Sequence, residues 1–239
     1  NTRNPLAESI RMLIANLNYS VISDNIVPNK ATVILVTSSV KGEGKTLISA
    51  NVSSALSMNN KKVLLIGADL RNPQIHKIIG LQKSQYGLSD MLYKDEISNF
   101  KKYTVTKNNF DILLSGTIPP NPTELLSSEK FKDFINEAKK EYDYIIIDSA
   151  PCVLVSDTIS LAEVVDKTIY VVRANFARTD LVNFILDCKN QNKLKNINLV
   201  LNSVGSRSIY GYEYNYRYGY KYGYNYGYKY GYSDDSTTN

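Results

Sequence analysis

The chain has 239 residues, of which 43% are hydrophobic and 21% charged, and its formal net charge is +5 at pH 7. These values are ordinary for a globular protein and allow one well-buried domain with or without a tail. The two cysteines are too few for a disulfide framework or a zinc site, which favours a reducing compartment. Scattered lysines explain the mild positive charge, so we expect no nucleic-acid partner.

No segment reaches the roughly 18 apolar residues of a membrane span. We therefore expect the chain itself to be soluble. It begins with Asn1 rather than methionine, so we also expect that it could be a fragment with a membrane anchor upstream.

The first predicted element is an amphipathic helix over residues 5–20, because apolar side chains recur there at helical spacing. A polar connector over residues 21–31 follows. The next run, TVILVT at 32–37, is rich in β-branched residues and typical of a strand buried on both faces. A Gly-rich turn and a helix over about 45–59 come after it.

Strands and helices alternate along the rest of the chain, which predicts an α/β fold with a mostly parallel central sheet and helices on both faces. The further predicted strands are 62–68, 110–116, 144–148, 167–173 and 197–204, and the further predicted helices are 123–142 with Thr123 as N-cap, 157–165 and 178–191.

Three regions follow from this pattern. They are an N-terminal helix with its connector over 1–30, a central domain over 31–206, and a tyrosine-rich tail over 207–239. The tail is of low complexity, and we expect it to be disordered.

The segment SSVKGEGKT follows a predicted strand and opens a predicted helix, which is the context of a phosphate-binding loop. Gly42 and Gly44 would let backbone N–H groups turn toward anionic oxygens. Lys45 would reach the β- and γ-phosphates and the Thr46 hydroxyl would bind Mg²⁺, while the helix N-terminus adds positive potential. The sequence therefore predicts a P-loop nucleoside triphosphatase fold.

A site for a magnesium nucleotide also needs a carboxylate at the end of a neighbouring strand. Asp148 closes the apolar run YIIID, where an ionised aspartate is costly to bury unless it serves a cation or a water network. Asp69, in LLIGADLRNP, also follows a predicted strand, at the end where open α/β sheets bind ligands. A helix cap or a salt bridge with Arg71 is the alternative interpretation of Asp69.

Several motifs together resemble those of one family. SSVKGEGKT, VLLIGADLRNP and YDYIIIDSAP are similar to the Walker A, Walker A′ and Walker B motifs of bacterial tyrosine kinases, the autokinases of capsular and exopolysaccharide synthesis. SGTIPPNPTELLSS at 115–128 resembles that family's Pro-Pro-Asn-Pro-x-Glu-Leu-Leu segment, and ESIRMLIANL at 8–17 resembles its N-terminal helix. The resemblance covers essentially the whole chain, and it implies ATP and Mg²⁺ as cofactors.

The resemblance implies a role for each residue that matches a family motif. The nucleotide-binding residues would be Gly42, Glu43, Gly44, Lys45, Thr46, Leu47 and, near the adenine, Asn202. The metal-binding residues would be Thr46, Asp69 and Asp148. The catalytic residues would be Lys45, Asp69, Arg71 and Asp148.

The tail has tyrosine at every even position from 210 to 232. The resemblance implies that these side chains accept the γ-phosphate of ATP in the active site of a neighbouring subunit of a ring. The predicted acceptors are Tyr210, Tyr212, Tyr214, Tyr216, Tyr218, Tyr220, Tyr222, Tyr224, Tyr226, Tyr228, Tyr230 and Tyr232. Each phosphate adds about −1.5 to −2 charges, so we expect phosphorylation to release a tail that docks on its neighbour when unmodified.

The resemblance also implies partners and a location. Glu8 and Arg11 would join subunits into the ring, with Ile14 replacing the second arginine of the family's Glu-x-x-Arg-x-x-Arg pattern. A transmembrane polysaccharide co-polymerase, fused upstream or separate, would activate the kinase, and a tyrosine phosphatase would reverse the modification. The protein would act at the cytoplasmic face of the bacterial inner or plasma membrane and regulate exopolysaccharide and capsule synthesis and export.

Two positions depart from the family patterns. Ser39 replaces the first glycine of the phosphate loop, and Gly67 replaces the first aspartate of the Asp-x-Asp pattern in Walker A′. A tyrosine hydroxyl has a pKa near 10, so Asp69 or Asp148 would have to help the acceptor, or a base matters less.

Two other classes of protein stay open as alternatives. An ATPase of the ParA/MinD kind would share the fold without kinase activity, but the position of that class's signature lysine holds Val40. A non-enzymatic nucleic-acid or polysaccharide binder could use the tail for stacking, but it would leave the phosphate loop and the carboxylates unexplained.

Overall fold

The computed structural model describes residues 5–23, 31–153, 155–176 and 179–204. The helices are α1 (Pro5–Ser23), α2 (Lys45–Met58), α3 (Ile75–Ile79), α4 (Leu88–Lys94), α5 (Pro122–Ser127), α6 (Glu129–Ala138), α7 (Asp157–Ser160) and α8 (Thr179–Asn190). The strands are β1 (Thr32–Ser38), β2 (Val63–Gly67), β3 (Thr104–Lys107), β4 (Phe110–Leu113), β5 (Tyr144–Asp148), β6 (Lys167–Arg173) and β7 (Ile197–Asn202). Two 3₁₀ segments are Ile97–Tyr103 and Leu161–Glu163.

The described strands form one sheet in the order β3-β4-β2-β5-β1-β6-β7. Every neighbouring pair is parallel except β3 with β4, which is antiparallel. In the centre, Asp148 at the end of β5 is in register with Val36 of β1 and with Gly67 of β2. The carboxyl ends of these three strands therefore lie side by side, which confirms the predicted mostly parallel α/β fold.

Helices cover both faces of the sheet, and this explains why the central strands are apolar at consecutive positions. In β1, Val33 and Leu35 belong to the core that α4, α5, α6 and α8 cover, whereas Ile34 and Val36 belong to the core that α1, α2 and α3 cover. All four side chains are at most 1% exposed. The alternation of a strand thus supplies both cores from one short segment.

Several predicted boundaries were wrong. The predicted helix 123–142 is two helices that meet at Ser128, whose backbone is extended and whose hydroxyl accepts the N–H of Phe131 at 3.3 Å. The first of these helices begins at Pro122. Its N-cap is Asn121, two residues before the predicted cap Thr123. The predicted helix 157–165 is a four-residue helix followed by a 3₁₀ segment.

Short elements were missed altogether. Helices α3 and α4 have five and seven residues, and β3 is a four-residue edge strand that pairs with β4 alone and is largely exposed at Val105. Elements of this length carry too few periodic positions to stand out in a sequence.

The compact unit that carries these elements is Asn1–Asn202. A second unit runs from Ser203 to Asn239, and the twelve predicted acceptor tyrosines, which belong to it, lie outside the described residues. The boundaries 1–30, 31–206 and 207–239 stay predictions. Among the helices described, none has both the length and the apolar character needed to cross a membrane.

Substitution of Phe134 tests the packing of α6 on the sheet. Its side chain is fully buried and meets Phe100 edge-to-face with ring centroids 5.4 Å apart. We expect Phe134→Ala to lower the free energy of unfolding by about 3–5 kcal/mol, because it leaves a cavity in the core. Chemical denaturation measures this, with Met58→Ala, at a side chain 75% exposed, as the matched control. Equal effects of the two substitutions would contradict the packing described here.

Candidate active site

The phosphate loop joins β1 to α2 and depends on two glycines. Gly42 and Gly44 have φ angles of 92° and 100°, in the left-handed region that side chains rarely adopt. A Cβ atom on Gly44 would lie 2.1 Å from Nδ2 of Asn202. The loop therefore requires glycine at position 44 for its backbone conformation and for the close approach of β7.

Glu43 fixes the phosphate loop through hydrogen bonds of its side chain and its backbone. Its side chain is fully buried, and its carboxylate accepts the N–H of Val40 at 2.8 Å and the N–H of Arg173 at 3.4 Å. Its carbonyl oxygen accepts Nδ2 of Asn202 at 2.8 Å. The side chain of Glu43 is thus a brace for the loop, a role that the motif alone did not predict. Its backbone N–H stays a predicted nucleotide contact.

Ser39, which replaces the family's glycine, is buried and fits the loop. Its hydroxyl lies 2.9 Å from the phenol oxygen of Tyr170, which in turn lies 3.1 Å from the sulfur of Cys152. Burial raises the pKa of Cys152 to about 11, so this thiol stays protonated at neutral pH. Cys152 is therefore a packing residue beneath the loop, not a nucleophile.

Asp148 lies at the end of β5 and is only 2% exposed. Its carboxylate accepts the hydroxyl of Ser49 at 3.1 Å and the hydroxyl of Thr46. Burial raises the pKa of Asp148 to about 7, while these hydrogen bonds and the positive charge of Lys45 act in the opposite direction. A buried carboxylate that has two hydroxyl groups, a lysine and a second carboxylate near it is suited to a divalent cation.

Asp69 follows β2 and belongs to a loop held across the end of β5. The N–H groups of Ala68 and Asp69 both donate to the carbonyl oxygen of Asp148, at 2.8 and 3.1 Å. The Asp69 carboxylate accepts the N–H of Asn72 at 2.9 Å. Burial raises the pKa of Asp69, although that hydrogen bond and the charge of Lys45 oppose the rise. The structure thus brings together Lys45, Asp69 and Asp148, whose roles stay predictions.

Arg71 forms a salt bridge with the carboxylate of Asp157, which the sequence did not identify. Its guanidinium donates to both oxygens of Asp157, at 2.7 and 3.1 Å, and to the hydroxyl of Thr123 at 3.3 Å. Burial acts to raise the pKa of Asp157, but the hydrogen bonds from Arg71 and Thr123 outweigh it and lower that pKa. These contacts join the loop after β2 to α5 and α7. Arg71 therefore forms its salt bridge with Asp157 and not with Asp69.

Gly67 has no room for a side chain. A Cβ atom there would lie 2.7 Å from the hydroxyl oxygen of Ser115, 3.1 Å from its nitrogen and 3.3 Å from Cδ1 of Ile75. Real Cβ atoms essentially never approach another atom as closely as 2.7 Å. The carboxylate that the family pattern has at this position is therefore absent, and a side chain here would require Ser115 to move.

Three other predicted residues lie on helices, two on α1 and one on α2. Glu8 and Arg11 are exposed on α1 and form an ion pair within the helix at 2.8 Å. Leu47, in the first turn of α2, is 38% exposed. The role of Glu8 and Arg11 between subunits stays a prediction.

The donor set fits a magnesium nucleoside triphosphate. Glycine-rich backbone, the N-terminus of α2 and Lys45 offer positive potential to phosphates. Among the residues described, no group of three His, Cys, Asp or Glu side chains could hold a metal by itself. This is the situation of Mg²⁺, which usually takes one or two carboxylates and completes its shell with phosphates and water.

The chain is similar to known proteins both in sequence and in structure. Residues 31–201 match the family described as AAA domain. The tyrosine-protein kinase wzc of Salmonella typhi is 34% identical over 215 residues, covering 87% of this chain and 29% of that protein. The tyrosine-protein kinase YwqD of Bacillus subtilis (strain 168) is 32% identical over 216 residues, covering 88% of this chain and 91% of that protein.

Among solved structures, the kinase domain of Escherichia coli tyrosine kinase ETK superposes with a TM-score of 0.77 at 26% identity. That match covers 87% of this chain and 80% of the other. The chain spans about three-tenths of the length of its Salmonella relative and most of the length of its Bacillus relative.

Gly67→Ala tests whether Ser115 fills the side-chain position next to β2. We expect a loss of about 1–3 kcal/mol in the free energy of unfolding, because the added methyl group overpacks a buried site. Adding Ser115→Gly should recover part of the loss, and Ser115→Gly alone is the control. Denaturant titration measures all three variants. A Gly67→Ala protein as stable as the wild type would contradict the close contact with Ser115.

The raised pKa of Asp148 predicts a pH dependence of stability without Mg²⁺ or nucleotide. The folded-state pKa of about 7 exceeds the unfolded value of 3.8, so the stability contributed by the protonated form is full below pH 3.8 and is lost as the pH rises through 7. We therefore expect Asp148→Asn to gain stability relative to the wild type between pH 4 and 8.

Denaturant titrations at several pH values in a chelator measure that difference. Asp133→Asn, an exposed carboxyl on α6, controls for the removal of a charge. A difference between Asp148→Asn and the wild type that is constant over this pH range would refute the predicted burial effect.

Proposed function

Because the chain belongs to the bacterial tyrosine-protein kinases, we propose that this site transfers the γ-phosphoryl group of Mg·ATP to tyrosine hydroxyls. The observation that supports the proposal most directly is the meeting of a phosphate loop with two carboxylates at the ends of three adjacent parallel strands. Lys45, Asp69 and Asp148 act on one another electrostatically at that point. A phosphoryl-transfer site needs such a convergence of anion-binding and metal-binding groups.

Phosphoryl transfer passes through a loose transition state, so positioning and charge matter most. The backbone N–H groups of Gly42–Gly44 and the N-terminus of α2 would bind the phosphates, and Lys45 would neutralise charge on the β- and γ-phosphates. Thr46 and Asp148, with Asp69, would hold Mg²⁺, which supplies further charge neutralisation when bound. The hydrogen bond between Thr46 and Asp148 keeps these two groups together.

Asp69 is the carboxylate that we assign to the acceptor side. Gly67 offers none, and Ser115 fills the adjacent space. One carboxylate oxygen of Asp69 accepts the N–H of Asn72. Burial raises the pKa of Asp69 above that of an ordinary aspartate. It would orient the tyrosine hydroxyl and accept its proton late in the transfer. Arg71, fixed by Asp157, stays a predicted catalytic residue next to it.

We propose that the acceptors are the twelve tyrosines between 210 and 232 and that transfer occurs between subunits of a ring in which Glu8 and Arg11 take part. A transmembrane polysaccharide co-polymerase would activate the kinase and a tyrosine phosphatase would oppose it. The setting would be the cytoplasmic face of the membrane, where phosphorylation would regulate exopolysaccharide or capsule export. The tyrosine-kinase names of the relatives support the kinase activity, whereas the ring and the partners come from family resemblance.

A second candidate function is ATP hydrolysis without kinase activity, as in ATPases of the ParA/MinD kind. The absence of a carboxylate at Gly67 favours it, because an acceptor tyrosine loses one group that could orient it. Val40, at the position of that class's signature lysine, argues against it. The two functions differ in whether tyrosine is modified.

Phosphotyrosine mapping by mass spectrometry tests the proposal. We expect the purified protein with Mg·ATP to gain phosphate between residues 210 and 232. Lys45→Met should reduce it at least about 100-fold, because the charge that stabilises the transferring phosphate is lost. ADP production by the wild type without phosphotyrosine would instead support the ATPase alternative.

Mixing two variants tests transfer between subunits. The first is Lys45→Met with an intact tail, and the second is an otherwise wild-type chain with phenylalanine at the twelve tail positions. Phosphate on the tail of Lys45→Met in the mixture, and in neither variant alone, is the expected result. A wild-type tail that is modified while the mixture stays unmodified would mean that each chain modifies itself.

A further inference from the structure

An exposed aromatic ring lies beside the phosphate loop. Phe176 follows β6 and is 48% exposed, so its ring is not part of either core. Its Cζ is the nearest atom, at 4.0 Å, to the position that a Cβ would take on Gly42. The ring therefore lies beside Gly42 at the edge of the loop, and about half of the side chain is exposed to the solvent there.

The ring is fixed by the residues that also hold the loop. The guanidinium of Arg173 lies 5.2 Å from the centre of the Phe176 ring and donates to the carbonyl oxygen of Gly42 at 3.1 Å. The N–H of Phe176 donates to the carbonyl oxygen of Arg173 at 3.3 Å. The N–H of Ala174 donates to the carbonyl oxygen of Asn202 at 2.9 Å. The turn after β6 is thus tied to the loop and to β7.

The strand order divides the site into two sides. The carboxylates Asp69 and Asp148 follow β2 and β5, which lie on one side of β1. Arg173 ends β6 and Asn202 ends β7, which lie on the other side of β1, and Phe176 follows β6. If the metal-bound phosphates of a nucleotide face the carboxylates, its base would extend to the other side of β1, toward β6 and β7. The exposed ring is on that side.

We infer that Phe176 is the stacking surface for the nucleobase of the bound nucleotide. The inference rests on the proposed function, since it needs a nucleoside triphosphate on the loop. Aromatic rings stack on bases of every kind, and a purine offers the larger overlap. The guanidinium of Arg173 lies over the ring and favours its position beside the loop. Phe176 belongs to none of the sequence motifs, and its position beside Gly42 identifies it.

Calorimetric titration with two ligands tests the role of the ring. Mg·ATP carries a base and inorganic tripolyphosphate does not, while both carry the phosphates that the loop binds. We expect Phe176→Ala to weaken Mg·ATP binding about tenfold and Phe176→Tyr to change it less than about twofold, because tyrosine keeps the stacking face. Tripolyphosphate should bind all variants equally. Leu199→Ala, at a side chain 62% exposed on β7, is the control for removing an exposed apolar group.

Two results would overturn the inference. One is a Phe176→Ala protein that binds Mg·ATP as tightly as the wild type does. The other is an equal loss of affinity for tripolyphosphate, which would mean that Phe176 acts through the shape of the loop. Mg·ATP binding without any phosphotyrosine would remove the kinase proposal and leave the stacking role standing. A wild type that binds no Mg·ATP would remove both.

Discussion

Asp148 connects the three segments from which the site is built. Its carboxylate accepts hydroxyl groups of Thr46 and Ser49 from α2, and its carbonyl oxygen accepts the N–H groups of Ala68 and Asp69 from the loop after β2. The parallel register of β1, β2 and β5 makes these contacts possible, because it ends the three strands at one level. A shift of β5 by one residue would separate the carboxylate from the phosphate loop.

Buried carboxylates therefore have two different roles in this protein. Asp148 is buried, and burial raises its pKa although hydrogen bonds from two hydroxyl groups and the charge of Lys45 act to lower it. Glu43 and Asp157 are also buried, but backbone N–H groups or a guanidinium satisfy them. They fix the phosphate loop and the loop after β2. These contacts fix the edges of the site and so preorganise the groups at its centre, as a metal-nucleotide site requires.

The sequence allowed the central strands, the phosphate loop and the cluster of Lys45, Asp69 and Asp148 to be predicted, because buried β-branched runs and a glycine-rich turn are local signals. It did not reveal Asp157 as the partner of Arg71, 86 residues away, or the brace between Glu43 and Arg173, 130 residues apart. Nor did it indicate that Ser115 fills the space beside Gly67. Such contacts depend on which loops the sheet order brings together, and periodicity carries no information about that order.

The measurement that tests the central claim most directly is the amount of phosphotyrosine formed for each ATP consumed by the wild-type protein during its first turnovers. A kinase with tyrosine as acceptor predicts a ratio of about one, since each γ-phosphoryl group moves to a side chain. Release of inorganic phosphate with a ratio near zero would contradict the account. It would mean that water, and not tyrosine, takes the phosphoryl group at this site.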